Sequence, residues 1–70
     1  MTNYQEMIKR QCPELSEREC AYVQAWMLLE HHTLNSVPTE TFRREVTLSV
    51  LCLRQSTLAE NEALAATYDL

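Results

Sequence analysis

The stretch Leu15-Ser16-Glu17-Arg18-Glu19-Cys20-Ala21-Tyr22-Val23-Gln24-Ala25-Trp26-Met27-Leu28-Leu29-Glu30 decides the fold. It opens with the signature of a helix start. Ser16 can accept from the amide of Glu19 while Glu19 reaches back to the amide of Ser16, and Leu15 and Cys20 sit at the two positions of a hydrophobic staple. Beyond that start, Cys20 to Leu29 is apolar on nearly every side, interrupted only by Gln24. A surface helix carries one apolar stripe, so a helix apolar all round needs cover from several directions. The pattern predicts a central helix from Glu17 to about Thr33. His31 and His32 fall in its last turn, and Asn35 is a suitable left-handed terminator.

Upstream, Thr2-Asn3-Tyr4-Gln5 has the form of a second capping box, followed by Tyr4, Met7 and Ile8 at helical spacing. A short first helix over about residues 3 to 11 is expected, ended by Pro13. Downstream, Ser36-Val37-Pro38 makes a turn, and Thr39 is the expected N-cap of a third helix from Glu40 to about Arg54, with Glu40 at the positive end of the dipole. Phe42, Val46, Ser49, Val50 and Leu53 form its main stripe, flanked by Leu48, Leu51 and Cys52. The remainder has two readings. Thr57 with Glu60 offers a capping box for a fourth helix from Leu58 to Tyr68, whereas the Ala, Leu and Glu content of the tail also permits one helix running from Glu40 to Thr67.

Seventy residues make one domain, 1–70, at the size where a single core is barely adequate. Glycine is absent, where about five would be average for this length. That excludes glycine-rich phosphate loops, dinucleotide fingerprints and nucleophile elbows. Ten acids against six bases give a net charge of −4, a poor start for displacing counterions from phosphates. The three cysteines, Cys12, Cys20 and Cys52, are an odd set without a CxxC pair, and the N-terminus lacks the basic-then-apolar order of a signal peptide. Cys20 to Leu29 is too short to cross a bilayer. A cytoplasmic protein with no membrane association is expected.

Two helices apolar almost all round exceed what the first helix and the tail can cover. Large exposed apolar patches mark interfaces, and two-fold pairing is the commonest way to cover one. The fold expected is therefore all-α, a small bundle of three to four helices completed by dimerisation. Trp26, Met27, Leu29, Phe42 and Val50 are the candidate core and self-association residues, with Tyr4, Tyr22 and Tyr68 as rim contacts.

Chemistry is thinly represented. Cys12, Cys20, His31 and His32 are zinc-ligand types, but the close pairs that zinc sites use are missing. The plainer reading is a buried Cys20 and Cys52 and an exposed or loop Cys12. His31 and His32 at a helix C-terminus complement the last carbonyls more readily than they act as a base. Glu17 with Glu19, and Glu60 with Glu62, are separated by a spacing that turns side chains about 200° apart, so neither pair converges. No catalytic residue, metal or cofactor is expected. Arg43, Arg44 and Arg54 are the main basic feature. Arg54 returns to nearly the face of Arg43 after about three turns, which supports an alternative reading as a small DNA-binding regulator. Glu40 and Glu45 interleave with these arginines and can pair with them.

The stretch from Leu15 to Glu30 resembles small helical accessory proteins of the early region of lambdoid phages. The stretch that carries the resemblance is 16 of the 70 residues, and it transfers no functional residue. It implies a modulator of host or phage processes that acts by binding an as yet unidentified protein partner rather than by chemistry.

Overall fold

The computed structural model describes residues 4–31, 34 and 37–68. Within them the chain forms α1 (Tyr4–Gln11), α2 (Glu17–Glu30), α3 (Thr39–Gln55) and α4 (Leu58–Thr67), with no strand among the described residues. The α2 start is built as its residues dictate. Glu19 N donates to Ser16 Oγ at 3.2 Å, and Ser16 N donates to Glu19 Oε1 at 2.9 Å. Leu15 and Cys20 are both buried in the core. The capping box at Thr57 is equally complete, with Glu60 N to Thr57 Oγ1 at 3.1 Å and Thr57 N to Glu60 Oε1 at 2.8 Å. Ser56 is extended (φ −97°, ψ 156°). The break between α3 and α4 therefore falls there, and the continuous-helix reading is set aside.

Two helix ends differ from expectation. α2 stops at Glu30 rather than near Thr33. His31 is already extended (φ −122°, ψ 121°), and its amide donates to Met27 O at 2.8 Å. Leu34 is buried, and bringing it back into the core requires the chain to leave the helix early. At α3 the residue before the helix is Pro38, not Thr39. Thr39 is itself helical, and Pro38 makes no side-chain cap. The proline ring presets φ, here −60°, and its carbonyl accepts the Phe42 amide at 2.7 Å. The expected roles of Thr2, His32 and Asn35 lie outside the described residues.

α2 packs against α1, α3 and α4, and α1 also touches α3. This explains why α2 lacks a polar stripe: it is the shared inner layer. Its Cys20, Tyr22, Val23, Ala25 and Met27 meet Ile8, Leu15, Leu34, Phe42, Val46, Leu53 and Ala65 in one core. Met27 and Phe42 are interior, and Val50 packs partly buried against them. Met27 and Phe42 therefore fill the core half of their expected role, with Val50 at the core's edge. Tyr22, expected at the rim, is buried because its ring joins the core while its hydroxyl reaches out to Glu62 Oε1 at 3.2 Å. Tyr4 and Tyr68 are partly buried and pack against the same core.

A polar tie runs through the apolar interior. Asn61, only 3% exposed, accepts from Trp26 Nε1 at 2.9 Å and donates through Nδ2 to Leu53 O at 3.1 Å. That carbonyl lies in the last turn of α3, where the helix itself provides no donor. Asn61 thus joins α2, α3 and α4 through one side chain. Between α1 and α2, the Lys9 ammonium donates to Leu15 O and fixes the short connection.

Candidate functional site

A groove of about 560 Å³ lies between α2 and α3. α2 contributes Trp26, Leu29 and Glu30; α3 contributes Glu45, Leu48, Ser49, Leu51, Cys52 and Gln55. Leu29, Leu48 and Leu51 stand 54%, 48% and 51% exposed along it. The α3 side follows from helix geometry: residues 48, 51/52 and 55 recur along one face, next to the face that holds Val46, Ser49 and Leu53 in the interior. Other exposed apolar side chains, Met7 and Leu58, lie away from this groove.

One end of the groove is acidic. Glu30 closes α2, and Glu45 lies one turn before Leu48 and Ser49 on α3. His31 Nε2 stands 3.7 Å from Glu45 Oε1, too long for a hydrogen bond, and this nitrogen has no hydrogen-bond partner. The contact nevertheless brings the end of α2 beside Glu45. His31 therefore faces a carboxylate on α3, whereas its expected role was to cover the last carbonyls of its own helix. Among the described residues, no lysine or arginine lines the groove.

The other candidate residues are dispersed. Arg43, Arg44 and Arg54 are all exposed on α3, and none makes an ion pair among the described residues. Glu45, expected to pair with an arginine, faces His31 instead. The connection from residue 31 to 38 is longer than the tight turn of a helix-turn-helix. Cys20 is buried, while Cys12 and Cys52 are half-buried, so Cys52 is less enclosed than its apolar run implied; all three are free thiols. Burial pushes the Cys20 thiol up, and burial with the nearby Glu14 carboxylate does the same to Cys12. Both shifts oppose thiolate formation at neutral pH. Glu19 and Glu60 are occupied in capping boxes, and Glu62 accepts from Tyr22, so the paired carboxylates diverge.

Of the five residues selected from sequence for core and self-association, only Trp26 and Leu29 line the groove. Leu48 and Leu51 were recognised as a flank but not as a surface. Their period with Gln55 was visible; that nothing covers them depends on where α1 and α4 pack.

Comparison with family models, curated proteins and solved structures gives no match. No helix among the described residues is long and apolar enough to cross a membrane, and no group of three or more His, Cys, Asp or Glu side chains converges among them as metal ligands would.

Proposed function

We propose that this chain is a small, non-enzymatic interaction protein that regulates by binding protein through the α2–α3 groove. The convergence of Leu29, Leu48 and Leu51 on one groove carries the reading. Scattered exposed leucines are ordinary, but a contiguous apolar strip with a polar rim is the usual form of an interaction site. Cover can come from a second copy, giving the homodimer expected from composition, or from a different protein. The free thiols suit a reducing, cytoplasmic setting. A phage-type accessory role rests on sequence likeness alone.

The test is affinity capture from the native host with the wild-type chain and a Leu48→Glu/Leu51→Glu variant whose helical circular dichroism is intact. A protein retained by the first and lost by the second supports the reading. Identical retained sets overturn it.

The alternative, a DNA-binding regulator, draws on the exposure of Arg43, Arg44 and Arg54. Net charge and the long connection between α2 and α3 weigh against it. Duplex binding that falls steeply with salt, and is lost when the three arginines become alanine, would establish it over the protein-binding reading.

A further inference from the structure

The lining of the groove discriminates between its candidate occupants. Its apolar part, Leu29, Leu48 and Leu51, is edged at one end by Glu30 and Glu45, and no lysine or arginine among the described residues lines it. α2 also ends at Glu30, so the negative end of its dipole adds to the same corner. The His31 imidazole stands beside Glu45, but no lysine or arginine among the described residues lines this corner, so a cation is the complement that Glu30 and Glu45 invite from an occupant. From Leu48 to Gln55 the α3 wall extends about two turns, roughly 10 Å, which matches apolar residues at i, i+3 or i+4, and i+7 on a docked helix.

Resting on the reading of α2–α3 as the interaction face, we propose that the occupant is a basic amphipathic helix of another protein. Its apolar stripe lies on the three leucines, and a lysine or arginine at one end meets Glu30 and Glu45. Arg44 is exposed one turn before Leu48 but is not among the lining residues. A second copy is the poorer match. It brings another net charge of −4 and the same two carboxylates, with no lysine or arginine among the described lining residues to offset them. The chain's accessible surface of 4810 Å² is also near the ~4500 Å² that size scaling gives for a folded monomer of this mass. A standard interface covers about 800 Å² per partner, far more than three half-exposed leucines supply.

Trp26, the sole tryptophan, lines the groove and reports on its occupation. The probes are two amphipathic peptides of about 15 residues with the same leucine pattern, one carrying lysines and the other glutamates on the polar face. The lysine peptide is expected to bind saturably, changing Trp26 emission, with affinity roughly tenfold or more above that of the glutamate peptide. Glu30→Gln, alone and with Glu45→Gln, should reduce that preference. Glu14→Gln/Glu17→Gln, the same charge change at the far end of α2, should leave it intact. Equal binding of both peptides, or equal effects of the two double variants, overturns the charge assignment and leaves the face standing. A concentration-dependent dimer that shields Trp26 and Cys52 also overturns it, with a second copy as the occupant. No binding of either peptide by a sedimenting monomer removes both the inference and the face.

Discussion

Trp26 donates its indole Nε1–H to Asn61 Oδ1 at 2.9 Å, so the residue that edges the groove is held by a side chain that also closes the end of α3. The groove wall and the polar tie are therefore one mechanical unit. Removing Asn61 leaves the indole donor and the Leu53 carbonyl without their partner. Asn61→Ala is expected to cost about 2–4 kcal/mol, two lost bonds at roughly 1–2 each with their donors or acceptors left unmet. Urea unfolding reads this as a lowered midpoint at unchanged slope. Trp26→Phe and the double variant complete a cycle in which non-additivity of about 0.5–1.5 kcal/mol is expected; strict additivity would argue that the bond is not formed.

Core and groove should separate cleanly under mutation. Met27, fully enclosed, should lose about 2–5 kcal/mol of stability when truncated to alanine. Leu51→Gln, on the exposed wall, should stay within about 0.5 kcal/mol of wild type. Thermal unfolding distinguishes them, since each kcal/mol moves the midpoint of a domain this small by about 4–8 °C. Comparable losses at both sites would mean that Leu51 is buried in the free protein.

The two capping boxes offer a matched pair. Ser16→Ala and Thr57→Ala each remove one acceptor from a helix start, and each is expected to cost ~1 kcal/mol. Ser16 starts the helix on which the other three pack, so its loss should lower the whole molecule's unfolding midpoint. The Thr57 variant should in addition raise hydrogen exchange selectively in α4, the terminal helix. Uniform exchange throughout would mean that α4 does not open separately.

Acid should reveal Glu60. The backbone and side-chain hydrogen bonds from Thr57 hold its carboxyl below the ordinary carboxylate value. The folded pKa is depressed, so this contribution to stability is present above the unfolded value and is lost as pH falls through the folded one. Glu60→Gln should consequently be less stable than wild type near neutrality and converge with it as acid protonates the wild-type carboxyl. A gap that stays constant down to the acid limit would show that the charge contributes nothing.

At the alkaline side the sign reverses. Burial, then the hydrogen bond to Glu62 and that residue's charge, raise the Tyr22 phenol above its ordinary value. Its contribution is full below the unfolded value and disappears as pH rises through the folded one. Tyr22→Phe, compared with wild type by chemical denaturation across this range, should show a shallower alkaline decline. An unchanged slope would place the alkaline loss elsewhere.

Helix starts were legible along the chain because a cap joins residues only three apart. Ser16 with Glu19 and Thr57 with Glu60 needed no tertiary partner to be recognised. The all-round apolarity of α2 likewise announced a helix covered on several sides, and α1, α3 and α4 cover it. Where a proline sat beside a better capping residue, at Pro38 and Thr39, local preference did not decide the boundary.

An apolar residue records that it avoids water, but not which neighbour will shelter it. Met27, Phe42, Leu29 and Leu48 carry similar local signals, yet the first two are enclosed and the other two are half exposed. Only the packing of α1 and α4 around α2 makes that division, because it joins residues beyond the reach of one turn, on the α4 side as far apart as Trp26 with Asn61 and Tyr22 with Glu62. Chemistry within a turn set the class of the fold and the starts of α2 and α4. Long-range packing decided which leucines became core, which were left along a groove, and that two carboxylates would stand at its end.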